Sequence, residues 1–437
     1  MRAHLALIVA ALLLAPAGAA LAQDEPLRIE ITEGTMAPMP IALRIEAEGE
    51  AVALAAEITG VIEADLTGTG LFTLAEIRDL PDTRFDRAVD YVGWKATDTE
   101  ALVTGSVSAE GDKIVVRFRL FDIFAGQPLG DGMQLDAPRA GWRRAAHKIA
   151  DQIYARITGE APYFDSRIAF IGESGPATAR IKRVGVMDAD GADVKWLTAG
   201  GELALSPRFS PDGRTVLYTS FASGMPQIMA MDVESVRALP LTSDPRAMSF
   251  APRYSPDGQW IAFSRETAGN TDIWIMQVGN PRFSKPLTQG PSIDTAPSWS
   301  PDGRQIVFES DRSGNSQLYI MRADGSDPVR ISFGEGGGYG EPAWSPRGDR
   351  IAFTRHGRQG SAIGIMRPDG SDERLLTEGP GDAGPSWAPN GRVLIFTRQP
   401  DEEGSAQLHS VDITGRNMRP VALNDAASDP AWGPLLP

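Results

Sequence analysis

The sequence predicts a multidomain protein in which a small N-terminal α+β domain precedes an all-β six-bladed propeller closed by the C-terminal strand. Three observations carry this expectation. A phrase of the form Pro-x-aromatic-Ser-Pro-Asp-Gly runs from Pro207 to Gly213 and recurs at Pro252 to Gly258, Pro297 to Gly303, Pro342 to Gly348 and Pro385 to Gly391, with a truncated copy at Pro430 to Pro434. The leading prolines stand 45, 45, 45, 43 and 45 residues apart, a period that marks an array of small sheets. Residues 24 to about 158 carry no copy and mix helical with alternating apolar patterns, which sets them apart as a different domain.

In chain order, residues 1–22 read as a secretory signal: Arg2 and His4, an apolar run from Leu5 to Leu14, then Ala20-Leu21-Ala22 as a small-x-small cleavage site. Residues 23–158 form the N-terminal domain. Leu27 to Thr32 alternates as a strand, and Pro40 to Ile45 is a second strand candidate. Between Ala51 and Leu66 the apolar residues Leu54, Ile58, Val61, Ile62 and Leu66 fall on one helical stripe. Ala101 to Ser108, Lys113 to Asp122 and Met133 to Asp136 read as strands, and a helix spans about Arg139 to Ile157. Residues 159–165 form a linker to the propeller at 166–437, because Gly159 and Pro162 break the preceding helix.

Within the propeller, Ser-Pro-Asp-Gly is a tight reversal: proline presets φ and glycine tolerates a positive one. Each copy is followed by a short apolar strand, such as Val216 to Thr219 or Ile261 to Ser264, then by a third strand and a brief fourth. Four strands per unit at this spacing describe propeller blades. Ahead of the first full phrase, Ile168 to Ile171, Arg183 to Asp188 and Lys195 to Thr198 supply strands two, three and four of a blade without its first strand. The orphan phrase at Pro430 supplies it, which makes six blades and removes the free sheet edges.

Composition bounds the chemistry. The 437 residues hold 42 Lys+Arg against 57 Asp+Glu, for a net charge of −15, so nucleic acid is not expected as a partner. Beyond the signal no apolar run is long enough for direct membrane insertion. There is no cysteine, hence neither disulfide nor thiol chemistry. No Gly-x-Ser-x-Gly or His-Glu-x-x-His occurs, and after the signal only His147, His356 and His409 remain, so an enzyme is not expected. The Asp-Gly loops at Asp188 to Asp193, Asp324 to Asp327 and Asp369 to Asp372 lack the distal glutamate of a calcium loop and read as turns. No cofactor or metal site is expected.

A signal, an α+β domain led by the LRIEITEG segment, and six PxWSPDG-type blades ending in PAWGP resemble the TolB family of periplasmic propellers of the Tol-Pal system. The resemblance covers the whole chain after the signal. It implies a periplasmic, non-catalytic scaffold linking the inner-membrane protein TolA to the outer-membrane lipoprotein Pal, for envelope integrity and constriction during cell division. It also implies two contact regions: Leu27, Arg28, Ile29, Glu30, Ile31 and Thr32 for TolA, and Met248, Ala251 and Thr295 for Pal. Glu30 and Met248 depart from the apolar residue and the histidine often found there. Other envelope proteins and bacteriocins are further candidate partners.

Blade topology places the loops before the leading prolines on one face. They hold Glu202, Asp244, Asp294, Glu335, Glu341, Glu378, Asp382, Asp425 and Asp429, with Arg246 the only basic residue, so an acidic mouth with Met248, Phe250, Ile293 and Tyr339 embedded in it is expected. The alternative reading is the propeller of an exported hydrolase or glycan-binding protein.

Overall fold

The computed structural model describes residues 37–76, 81–176, 179–358, 360–400, 404–423 and 425–437. Both the signal reading and the Leu27 to Thr32 segment lie outside the described residues.

The N-terminal sheet is built from β1 (Met39–Ala47), β2 (Phe72–Leu74), β3 (Ala101–Glu110), β4 (Lys113–Asp122), β5 (Gln127–Pro128) and β6 (Met133–Pro138) in the order β2-β1-β3-β4-β5, with β6 also pairing β4. β1 runs parallel to both its neighbours, which requires a crossover, and helix α1 (Ala51–Gly68) supplies it. Its apolar stripe packs with that of a later helix, Trp142–Thr158, on one face of the sheet, where Ile58, Ile62, Leu66, Ile149 and Ile153 are fully buried. On the other face the short helix α2 (Tyr91–Lys95) seats Trp94, whose Nε1 donates to Thr83 Oγ1 at 2.7 Å. Neither β2 nor α2 was expected from the sequence. Both are too short to show periodicity, and tertiary packing holds them. The later helix is α3, ended by Gly159 in the left-handed conformation at φ 70°.

Six four-stranded sheets follow. The last strand, Ala426–Leu435, pairs antiparallel with Ser166–Ser174, setting Trp432 opposite Ile168 and Ala427 opposite Gly172. This first blade therefore takes its inner strand from the far end of the sequence, and the array is closed. Blades two to six begin at Ala204, Ala247, Asp294, Gly338 and Asp382. The fourth strands are mostly two or three residues long, at Lys195–Trp196, where Lys195 to Thr198 was expected, and at Ala238–Pro240, Val329–Arg330, Arg374–Leu375 and Arg419–Pro420. In the third blade the fourth strand is longer, Asn280–Pro286, because a tight hairpin replaces the Asp-Gly loop.

The repeat phrase earns its residues locally. Ser255 Oγ donates to Asp257 Oδ1 at 2.5 Å, accepts from Trp260 N, and leaves Asp257 to accept from Gln259 N. The same brace forms at Ser210 with Asp212 and at Ser300 with Asp302. The glycine closing the turn sits at φ near 70° at Gly213, Gly258 and Gly303, where a side chain would be strained.

Candidate protein-binding face

The two faces of the disc differ. On the face holding the Ser-Pro-Asp-Gly turns, the N-terminal domain docks over blades five, six and one. Glu160 receives Arg347 at 3.0 Å and Arg392 at 3.5 Å from the turns of blades five and six. Those are the two copies that depart from Ser-Pro-Asp-Gly, reading Ser-Pro-Arg-Gly and Ala-Pro-Asn-Gly. Asp151 accepts three backbone N–H groups, from Tyr163, Phe164 and Asp165, at 2.8 to 3.0 Å, which fixes the chain's entry into the propeller.

The Asp188 to Asp193 loop, expected to be turn chemistry alone, has a second role here. Arg143 on α3 donates to Asp188 at 3.0 Å and to Asp190 at 2.5 Å, and His147 Nδ1 lies 2.6 Å from Asp65 Oδ2. Burial alone would lower the His147 pKa, but Asp188 and Asp65 outweigh it and push it up to about 10. Burial raises Asp65 to about 6 against the pull of His147. Ligand atoms of His147, Asp188 and Asp190 lie within 4.8 Å of one another, the one such metal-type group among the described residues. Arg143 already spans both aspartates, so the group is a closed ion-pair cluster joining the domains.

Among the described residues no segment covers the opposite face. Here each inner strand is broken by a bulge, and the residue before every leading proline turns left-handed: Ser206, Ala251, Ala296, Glu341, Gly384 and Asp429, at φ between 49° and 65°. Five are not glycine, and such backbone is costly enough to mark a position the fold over-determines. Hydroxyls of the preceding blade hold several of these residues, as when Ala296 N donates to Ser264 Oγ and Asp429 N to Thr397 Oγ1. Sequence reading gave no sign of this ring, because a proline biases the residue ahead of it toward extended backbone at negative φ.

All three residues expected to meet Pal fall on this face. Met248 and Ala251 stand on the inner strand of blade three, Ala247–Tyr254, Ala251 at its bulge; Thr295 stands on Asp294–Trp299 of blade four, just before the bulge at Ala296. All three are half-buried.

The mouth is less acidic than its loops suggested. Asp244 pairs with Arg265 at 2.8 Å, Asp294 with Arg312 at 2.8 Å, and Asp382 with Arg398 at 2.7 Å. These arginines lie at or just past the end of the second strand of the same blade, a position the loop survey did not include. Glu202, Glu335, Glu378 and Asp425 stay exposed. Tyr339 is fully buried, with its hydroxyl donating to Glu373 at 2.7 Å, so it is no surface anchor. Ile293 and Phe333, 48% and 66% exposed, supply apolar surface instead.

Fold and face together define a six-bladed propeller with an N-terminal α/β domain clasped to one side and a charged, bulge-lined face left free by the described residues on the other. Residues 27–129 match the TolB amino-terminal domain and residues 154–436 the TolB beta propeller domain. The chain belongs to the TolB family. It is 53% identical over 249 residues to a Tol-Pal system protein TolB of Cereibacter sphaeroides, covering 55% of each chain, and 53% identical over 235 residues to that of Roseobacter denitrificans, covering 53% of each. These matches span about half the length of the curated relatives. The crystal structure of TolB from Acinetobacter baumannii superposes with a TM-score of 0.79 at 26% identity, covering 91% of this chain and 98% of that one. Among the described residues no helix is long and apolar enough to cross a membrane.

Proposed function

We propose that this protein is a non-catalytic periplasmic scaffold that links TolA to the lipoprotein Pal and so supports envelope integrity and constriction during division. The observation that carries this reading is the match to both TolB domains together with the convergence of Met248, Ala251 and Thr295 on the free face. Half-buried strand residues ringed by apolar Ile293 and Phe333 and by paired charges suit a partner that brings a hydrophobic anchor and its own complementary charges.

In this reading residues 1–22 direct export, and the segment Leu27 to Thr32 binds TolA by adding its alternating apolar strand to a sheet edge of that partner. The domain boundaries at 158 and 166 separate the TolA-binding part from the Pal-binding part. Nothing in the reading asks the chain to break a bond. Two of its histidines have structural settings: His147 sits in the interdomain cluster and His409 lies against Phe396, ring centroids 6.0 Å apart.

The test is a pull-down from periplasmic extract with the purified protein. Recovery of Pal by the wild type, and its loss with a folded Thr295→Ile variant, is the expected result. Equal recovery by both proteins removes the free face from the assignment; recovery of no envelope protein removes the scaffold reading. Deleting residues 27–32 is expected to abolish TolA capture and to leave Pal capture intact.

A further inference from the structure

The second residue of each repeat phrase reads Arg208, Arg253, Ser298, Ala343, Ser386 and Ala431 around the ring. The first five line a cavity of about 330 Å³ on the axis of the disc. Three small residues there face two arginines from adjacent blades, so the cavity is lopsided in both shape and charge.

The small side chains are committed to the fold. Ser298 Oγ accepts from Trp344 N and Ser386 Oγ from Trp432 N, each tying one blade to the next. The arginines are not. Arg208 Nη1 donates to the carbonyl of its own neighbour, Pro207, at 2.6 Å. Arg253 Nη1 is buried with no hydrogen-bond partner among the described residues. Among the described residues neither guanidinium pairs with a carboxylate within 4.0 Å.

Glu341 and Asp429 are the nearest acids by topology, but they precede the leading prolines and so lie nearer the free face. One oxygen of each is engaged elsewhere: Glu341 Oε2 accepts from Thr354 Oγ1 and Gly384 N, and Asp429 Oδ2 from Ser206 N. Burial pulls the Arg208 pKa down to about 10, while Asp429 and Glu341 act from a distance in the opposite direction. A largely buried guanidinium with no carboxylate in contact is unfavourable, and a bound anion relieves it. Its planar fork of donors matches the oxygens of a phosphate or carboxylate.

We propose that the axial cavity binds a small free oxyanion, of phosphate or carboxylate type, between Arg208 and Arg253. The inference rests on the channel alone and is independent of the TolA and Pal assignments.

Calorimetric titration of the full chain with inorganic phosphate, and separately with citrate, tests it at constant ionic strength. Saturable binding of one anion per chain is expected for at least one of the two, and which one binds identifies the chemistry. Arg253→Met is expected to weaken that binding by about tenfold or more, the loss of one charge-assisted contact. In anion-free buffer the same variant should melt no lower than the wild type, because it removes an unpaired charge. No saturable heat with either anion overturns the proposal, as does unchanged affinity in a folded Arg253→Met. If Arg253→Met does not fold, Arg208→Met takes its place, and the wild-type titration still decides.

Discussion

Replacing Trp432 by alanine probes the closure of the ring and the docking of the domains in one substitution. The indole stands on the last strand opposite Ile168, donates from Nε1 to Ser166 Oγ at 2.9 Å, and lies with its ring 5.9 Å from that of Tyr163 in the linker. It also packs against the core of the N-terminal domain. Removing a buried tryptophan costs about 3–5 kcal/mol. Trp432 keeps some exposure, and Ser166 Oγ keeps its bond to the Tyr163 carbonyl, so no orphaned hydroxyl adds to the loss. The lower end, about 3 kcal/mol, is therefore expected. The proper comparison is Trp299→Ala, the same repeat position in blade four, whose Nε1 has no partner among the described residues and which belongs to a cluster within the propeller. Urea unfolding followed by circular dichroism, with proteolysis of residues 159–165 as a second readout, measures both. Trp432→Ala should unfold at lower urea than Trp299→Ala and be cut faster at the linker. A loss below about 1 kcal/mol, or identical behaviour of the two variants, refutes the reasoning.

Three further outcomes follow from the same geometry. Arg398→Ala leaves the fully buried Asp382 carboxylate without its bidentate partner at 2.7 Å, and a stability loss of about 3 kcal/mol is expected in denaturant titration. Arg347→Asp restores the repeat consensus yet sets a second carboxylate against Glu160; the linker should be proteolysed faster while the propeller's own unfolding stays within about 1 kcal/mol of wild type. His147 titrates in the folded protein at about 10 and is raised above its unfolded value near 6.5, so its stabilisation is fully present below about pH 6.5 and disappears as pH rises through 10. The stability difference between wild type and His147→Gln should therefore shrink between pH 7 and pH 10, and a pH-independent difference contradicts the ion-pair cluster.

Much of the propeller is legible in the sequence because its turns use residues with few alternatives. Ser-Pro-Asp-Gly sets proline and glycine dihedrals and a Ser-to-Asp brace in four positions, and the period of 45 counts the blades. The closing strand follows from the same arithmetic, since the first blade lacks a strand and Pro430 offers one. The short elements β2 and α2 are not legible, for their stability comes from neighbours distant in sequence. The charge of the free face was misread for a related reason. Asp244, Asp294 and Asp382 find their arginines 16 to 21 residues later, across a hairpin, and a loop-by-loop census misses them. The interdomain surface did leave a trace: Arg347 and Asn390 break the phrase in adjacent blades, and those are the blades the N-terminal domain covers. The left-handed ring at Ala251 and its equivalents left none.

The central claim is that the bulge-lined face, and not the face carrying the Ser-Pro-Asp-Gly turns, receives the envelope partner. Site-specific photo-crosslinking in cells tests it most directly, with the probe placed at Thr295 on one face and at the exposed Arg304 on the other. The account predicts a crosslink to an outer-membrane lipoprotein from position 295 and none from 304. The reverse pattern, or equal crosslinking from both positions, contradicts it.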